Sequence, residues 1–173
     1  MRLQRFSEHA QMPWANGRGT SFEVARGPGD PWAWRVAIAP VIEPGPFSSL
    51  AGVDRELAVM EEAPLSVVID GEETFVRRGE VARFSGDAHV TCSLPKGPTR
   101  DCGLMVRRGF GSGSMSVVSG GSVGARVIVA LEESVVENAG SSARLSSGDA
   151  LIGDAPEQVT IRGGLVCIIE VAP

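Results

Sequence analysis

The stretch Leu65-Ser66-Val67-Val68-Ile69-Asp70-Gly71-Glu72-Glu73-Thr74-Phe75-Val76 decides the fold class. Two short runs rich in β-branched and aromatic residues flank an Asp-Gly step. Such a step accepts the positive φ angles that a two-residue hairpin turn requires. Working outward, the same short-strand grammar recurs. Upstream lie Trp32-Ala33-Trp34-Arg35-Val36-Ala37-Ile38-Ala39, which alternates with period two, and Glu56-Leu57-Ala58-Val59-Met60-Glu61. Downstream lie Val81–Phe84, His89–Leu94, Leu104–Arg107, Arg126–Leu131, Gln158–Arg162 and Leu165–Val171. The last is almost continuously apolar and is expected to be buried on both faces. One helical turn is expected around Ser48–Val53. No segment sustains twelve residues of helical periodicity with caps. Many short strands separated by turn signals predict an all-β sandwich or barrel.

Composition points the same way. The chain of 173 residues contains 22 Gly and 11 Pro, too many turn formers for a helical bundle or coiled coil. No apolar run approaches the roughly 20 residues of a membrane helix, and Met1–Phe6 carries no apolar leader core. A cytoplasmic protein without a membrane partner is therefore expected. Net charge is −5, from 16 basic and 21 acidic residues. That balance lacks the basic excess of a nucleic-acid binder. Three scattered cysteines, Cys92, Cys102 and Cys167, read as small buried apolar residues in a reducing compartment.

Gly109–Gly124 holds six Gly and five Ser, and reads as a Gly/Ser linker that crosses between two packed sheets. It divides the chain into a first half of about 1–108 and a second of about 125–173. An echo between Gly79–Ala88 and Gly148–Ala155 fits two related halves: each runs Gly-acid, apolar stretch, Gly-Asp-Ala. A jelly-roll pair suits a chain of this length.

Motifs of common chemistries fail on context. Gly120-Gly121-Ser122-Val123-Gly124 has the G-x-S-x-G form, but the hydrolase elbow needs a preceding strand, a following helix and a later His. A strand follows here, and no His occurs after His89. There is no P-loop and no G-x-G-x-x-G. His9 and His89 stand eighty positions apart without ligand-spaced neighbours, so neither a metal nor another cofactor is expected.

Polar residues concentrate between positions 13 and 55. Pro13-Trp14-Ala15-Asn16-Gly17-Arg18-Gly19-Thr20 precedes the strand-like Ser21–Ala25, and Arg35 sits within an apolar strand. Pro44-Gly45-Pro46-Phe47-Ser48 leads to Gly52-Val53-Asp54-Arg55. Arginines in apolar strands need carboxylates, and Glu23 and Asp54 are the candidates for Arg35 and Arg55. Two readings stand: ion pairs tying loops to a barrel mouth, or a polar pocket whose arginines grip a carboxylate in two-pronged fashion.

Met12–Thr20, Trp34–Ala39, Gly45–Ser48 and Gly52–Arg55, followed in order by Phe84-Ser85-Gly86-Asp87 and Arg100-Asp101, resemble the HutD/Ves family. The resemblance covers residues 3–108 strongly and the remainder weakly. It implies a bicupin: two cupin-like jelly-roll β-barrel halves in one compact body, lacking the His-rich metal motif of other cupins. HutD members accompany histidine-utilisation enzymes, and Ves members are associated with stress responses. By resemblance the pocket residues are Trp14, Asn16, Thr20, Glu23, Arg35, Asp54, Arg55, Arg100 and Asp101. Two positions depart from the family pattern: Arg18 replaces a glycine, and Gly103 stands where an Asn is frequent. The resulting expectation is a metal-free protein binding a small anionic metabolite, formate-like or formylglutamate-like, in a regulatory role. The alternatives are a metal-independent isomerase or hydrolase with Glu23 or Asp54 as general base, and a scaffold for protein partners. A homodimer joined at sheet edges is compatible with each.

Overall fold

A computed structural model describes residues 1–14 and 16–173. Ala15, within the first resemblance motif, lies outside the described residues. The strands of the first part are β1 (Arg2–Gln4), β2 (Ala10–Pro13), β3 (Thr20–Arg26), β4 (Trp34–Val41), β5 (Gly45–Pro46) and β6 (Val53–Val59). They continue as β7 (Leu65–Ile69), β8 (Glu72–Val76), β9 (Val81–Ser85), β10 (Val90–Ser93) and β11 (Thr99–Arg107). The second part comprises β12 (Ser112–Val118), β13 (Gly121–Ala130), β14 (Ser134–Asn138), β15 (Ser141–Leu145), β16 (Ala150–Gly163) and β17 (Val166–Ala172). A 3-10 turn at Phe6–Glu8 is the one helical element among the described residues. The turn expected around Ser48–Val53 is instead a non-helical reversal.

The hairpin at 65–76 forms as read: β7 pairs with β8 from Leu65↔Val76 to Ile69↔Glu72, and Asp70 and Gly71 take φ of 49° and 93°. It belongs to a four-stranded sheet of order β5-β10-β7-β8, which faces a six-stranded sheet of order β2-β3-β4-β11-β6-β9. Val41, Leu57, Val59, Leu65, Val67, Phe84, Val90 and Cys92 fill the space between them. The second half is one seven-stranded sheet, containing β12-β17-β13-β16-β14-β15 with β1 added to β16. It curls at register shifts between Ala125 and Val127 and between Val135 and Val136. Bulges of this kind bend strands. The curled sheet encloses Ile128, Val136, Leu145, Leu151, Ile161 and Ile168. Among the described residues none of the three sheets closes on itself by hydrogen bonding; the arrangement is a double jelly roll.

The six-stranded sheet carries the geometry that matters. Its back packs on the second half, where Trp34, Val36, Ile38, Cys102 and Leu104 meet Met115, Val127, Val129, Cys167 and Ile169. Its front faces the four-stranded sheet. Successive side chains point to opposite faces, so both sets of alternate positions are apolar except where the front becomes polar.

Two features differ from the sequence reading. First, the Gly/Ser segment is largely strand rather than linker: β12 pairs with β17 from Ser112↔Ala172 to Val118↔Val166. Its composition serves close approach. A Cβ at Gly113 would come within 2.6 Å of Val106 Cγ2, and Met115 at its centre is fully buried. Second, the halves are not contiguous in sequence, because Leu3 pairs with Leu151 and so the N-terminal strand joins the second sheet. The internal echo holds for one turn of each pair. Gly86-Asp87 lies in a turn, whereas Gly153-Asp154 lies inside β16.

Candidate functional site

A cavity of about 120 Å³ opens between the front of the six-stranded sheet and the segment Phe47–Leu50. Register explains why there is space. Across β4, β11 and β6, one row reads Arg35–Met105–Arg55, the next Ala37–Gly103–Leu57 and the next Ala39–Asp101–Val59. The long side chains of the first row stand beside a middle row floored by Ala37 and Gly103. The floor is therefore low because two of its residues are small.

Arg55 dominates one end. Its guanidinium carbon lies 5.5 Å from the Phe47 ring centroid and 5.0 Å from that of Phe84. Such stacking on ring faces is favourable for a cation. Nη1 donates to the Ser48 carbonyl at 2.9 Å. Among the described residues Arg55 forms no ion pair, so the charge is held in place by aromatic faces and a carbonyl. Burial lowers its pKa, and the more distant Asp101 offsets this in part. An arginine so perturbed remains a cation at neutral pH.

Arg35 is different because it already has a partner. Its Nε lies 3.1 Å from Glu23 Oε2 and its Nη2 donates to Ser21 Oγ at 3.1 Å. The Nε contact is close but poorly aligned as a hydrogen bond. Burial lowers the Arg35 pKa, Glu23 opposes that, and Arg26 adds to it.

Asp101 occupies the other end. Its residue is 7% exposed, and no hydrogen bond or ion pair to its carboxyl occurs among the described residues. Burial raises its pKa from 3.8 to about 7, against the pull of Arg55. Cys92, across the sandwich on β10, has its thiol pKa raised by burial and also by Asp101.

Of the nine residues expected at a pocket, Trp14, Arg35, Arg55 and Asp101 line this cavity. Glu23 stands behind Arg35 as its counter-ion. The other four lie elsewhere. Asn16 braces the rim, with Nδ2 donating to the Pro46 carbonyl at 3.1 Å and its backbone N–H to Ser48 Oγ at 3.3 Å. Thr20 is exposed, and its strand neighbour Ser21 faces inward instead. Asp54 does not pair with Arg55; it accepts from Arg108 Nε at 2.8 Å. Adjacent strand residues face opposite sides, so an Asp-Arg dipeptide cannot pair within a strand. Arg100 is on the back for the same reason. Its Nε meets Glu61 at 2.6 Å, and its Nη2 donates to Ser147 Oγ of the second half at 2.9 Å.

Ser21, Phe47, Phe84 and Met105 shape the site without having been singled out in the sequence. Phe47 and Phe84 each lay inside a resemblance motif, and that membership was the available signal. Arg18 lies outside the cavity, near Glu43 at 3.6 Å. The Trp14 ring rests on Gly19, where a Cβ would come within 2.9 Å. Gly86 closes the rim: its N–H donates to the Val53 carbonyl at 2.7 Å, and its carbonyl accepts from Leu50 at 2.8 Å. His9 is buried with Nε2 2.9 Å from the Gly148 carbonyl, whereas the His89 backbone N–H donates to Asp70. Among the described residues no helix is long and apolar enough to cross a membrane.

A double jelly roll with an inward-facing cavity between its sheets is the architecture of cupin-type proteins. Structural likeness shows that fold: Ylba of Escherichia coli superposes with a TM-score of 0.72 over 96% of this chain and 88% of that one, at 9% identity. Residues 6–168 match the HutD family, and the chain belongs to it. A conserved protein of unknown function from Pseudomonas aeruginosa PAO1 superposes with a TM-score of 0.83 at 27% identity, covering 98% of this chain and 97% of that one. HutD from Pseudomonas fluorescens SBW25, solved in a formate condition, gives 0.82 at 25% identity, covering 99% of each chain. By sequence, an uncharacterized 21.2 kDa protein in the hutC 3' region of Pseudomonas putida is 33% identical over 109 residues, 61% of this chain and 57% of that one. Protein Ves of Citrobacter koseri is 31% identical over 101 residues, 55% of this chain and 52% of that one. These matches thus span just over half the length of the two relatives.

Proposed function

We propose that this protein binds a small carboxylate metabolite of the formate or formylglutamate type, without turning it over, in a regulatory role linked to histidine utilisation. The observation that carries the reading is Arg55: a half-buried guanidinium at the end of a cavity, stacked against Phe47 and Phe84, with no carboxylate partner among the described residues. A cation partly withdrawn from water is costly unless an anion completes it. The cavity volume suits a carboxylate head group, with the remainder of a larger ligand leaving past Trp14. Arg35 is already neutralised by Glu23 and so positions the wall. The general-base alternative loses Asp54, whose carboxylate pairs with Arg108 away from the cavity lining.

Thermal-shift and calorimetric titration with formate, formylglutamate, formiminoglutamate and urocanate test the proposal. Ligand at 100 times Kd should stabilise the protein by about 2.7 kcal/mol, and Arg55→Ala should abolish that gain. No stabilisation by any of the four would sink the reading. Product detected by mass spectrometry in the same mixtures would replace it with an enzymatic one.

A further inference from the structure

The carboxylate-binding reading leaves the opposite end of the cavity without a role, and the following rests on that reading. Asp101 faces the cavity from β11, one carboxyl with no hydrogen-bond or ion-pair partner among the described residues. The groups around it come from every neighbouring strand. Arg55 lies on β6, and Arg35 on β4 is matched by Glu23 on β3. The Cys92 thiol faces from β10. Glu56 also borders the cavity, but its carboxylate is engaged by the Met115 N–H at 2.9 Å and Arg83 at 3.1 Å. With the Arg35–Glu23 pair neutral, the site's charge is set by Arg55 and Asp101 alone. If Asp101 is ionised, it cancels Arg55 and repels an entering anion. If Asp101 is protonated, the cavity carries one net positive charge and offers a hydrogen-bond donor. The register places Val59, opposite Asp101, four residues from Arg55 along β6. At about 3.3 Å per residue that is some 13 Å of strand, which a long arginine side chain shortens from one end. Both residues line the same cavity of about 120 Å³.

We propose that Asp101 is the proton-bearing partner of the site: an anionic ligand enters together with a proton from solvent and is held between the Arg55 guanidinium and the Asp101 carboxylic acid. The acid O–H donates to one ligand oxygen, and Arg55 donates to the other. No covalent bond forms or breaks, and the proton returns to solvent on release. The upward displacement of the Asp101 pKa to about 7 by burial is in keeping with this. Apparent affinity then scales with the fraction of protein carrying the proton, so it is nearly flat below neutrality and falls above it.

Calorimetric titration with formate and with formylglutamate, both fully ionised between pH 6 and pH 8, provides the test. Each is run at pH 6, 7 and 8, in pairs of buffers of different ionisation enthalpy. The expected result is a Kd roughly tenfold weaker at pH 8 than at pH 6. Approximately one proton is taken up per ligand at pH 8, and little is taken up at pH 6. In Asp101→Asn the ratio of the two Kd values falls to near unity and the buffer dependence disappears. Binding with a pH-independent Kd and no proton uptake overturns this inference and leaves the carboxylate reading standing. So does a tenfold ratio that persists in Asp101→Asn. Absence of binding by either anion at pH 6 overturns both. The buffer comparison on the unmodified protein needs no variant, so a folding defect in Asp101→Asn does not remove the test.

Discussion

At the scale of single residues, the site turns on which of two neighbours faces inward. Arg100 and Asp101 stand side by side in the sequence, and both belong to the family motif. The strand sends Asp101 into the cavity and Arg100 to the inter-half face. Sequence alone names both, because residue type signals polarity but not the phase of a strand buried on two sides. The same blindness joined Arg55 to Asp54. Burying Asp101 also has a stability consequence. Its folded-state pKa is raised above the unfolded value, so the folded chain holds more protons between about pH 4 and pH 7. Stability of the ligand-free protein from this group is therefore greatest below pH 4 and declines as pH rises to about 7. Asp101→Asn should stabilise the ligand-free protein by a few kcal/mol at pH 8, and the gain should vanish towards pH 4. Chemical denaturation midpoints across that range check both sign and window.

At the scale of elements, the strands with β-branched alternation were legible, and the Asp70-Gly71 hairpin formed with the register its turn demands. β12 was not legible. Gly and Ser have low strand propensity, and it is pairing with the apolar β17 and the burial of Met115 that make the segment a strand. A tertiary partner overrides local preference in this case. β11 is the converse: its apolar core was readable, while Gly103 at its centre gave no sign of flooring a cavity. A Cβ there would lie 3.7 Å from Asp101 Oδ1 and 3.9 Å from the Ala37 carbonyl, ordinary contact distances. Gly103→Ala should therefore fold with little change in midpoint. Its methyl group would raise the floor, and affinity for formylglutamate should fall by roughly tenfold, about 1.4 kcal/mol. An affinity unchanged in Gly103→Ala would move the ligand away from this row.

At the scale of the molecule, the division into two halves was legible from the strand count and the resemblance, but the trade of β1 into the second sheet was not. Three residues at a chain end carry too little pattern to reveal a partner nearly 150 positions away. The largest shared surface is the back of the six-stranded sheet against the second half, with Ile38, Leu104, Met115 and Ile169 essentially inaccessible to solvent. The halves should accordingly unfold as one unit. Ile38→Ala, which opens a hole at that seam, should cost about 2–5 kcal/mol and keep a single transition by circular dichroism and tryptophan fluorescence. Two separated transitions would show instead that each half stands by itself.

The central position of β11 also bears on how the protein is made. It hydrogen-bonds on one side to β4 and on the other to β6, so the wall holding Arg35, Arg55 and Asp101 cannot be completed until residue 107 has left the ribosome. Its reverse side, with Cys102 and Leu104, waits longer, because its cover includes Cys167 and Ile169 on the last strand. A nascent chain halted between those points would carry a broad apolar sheet face open to water. That face stays uncovered until Cys167 and Ile169 have been added.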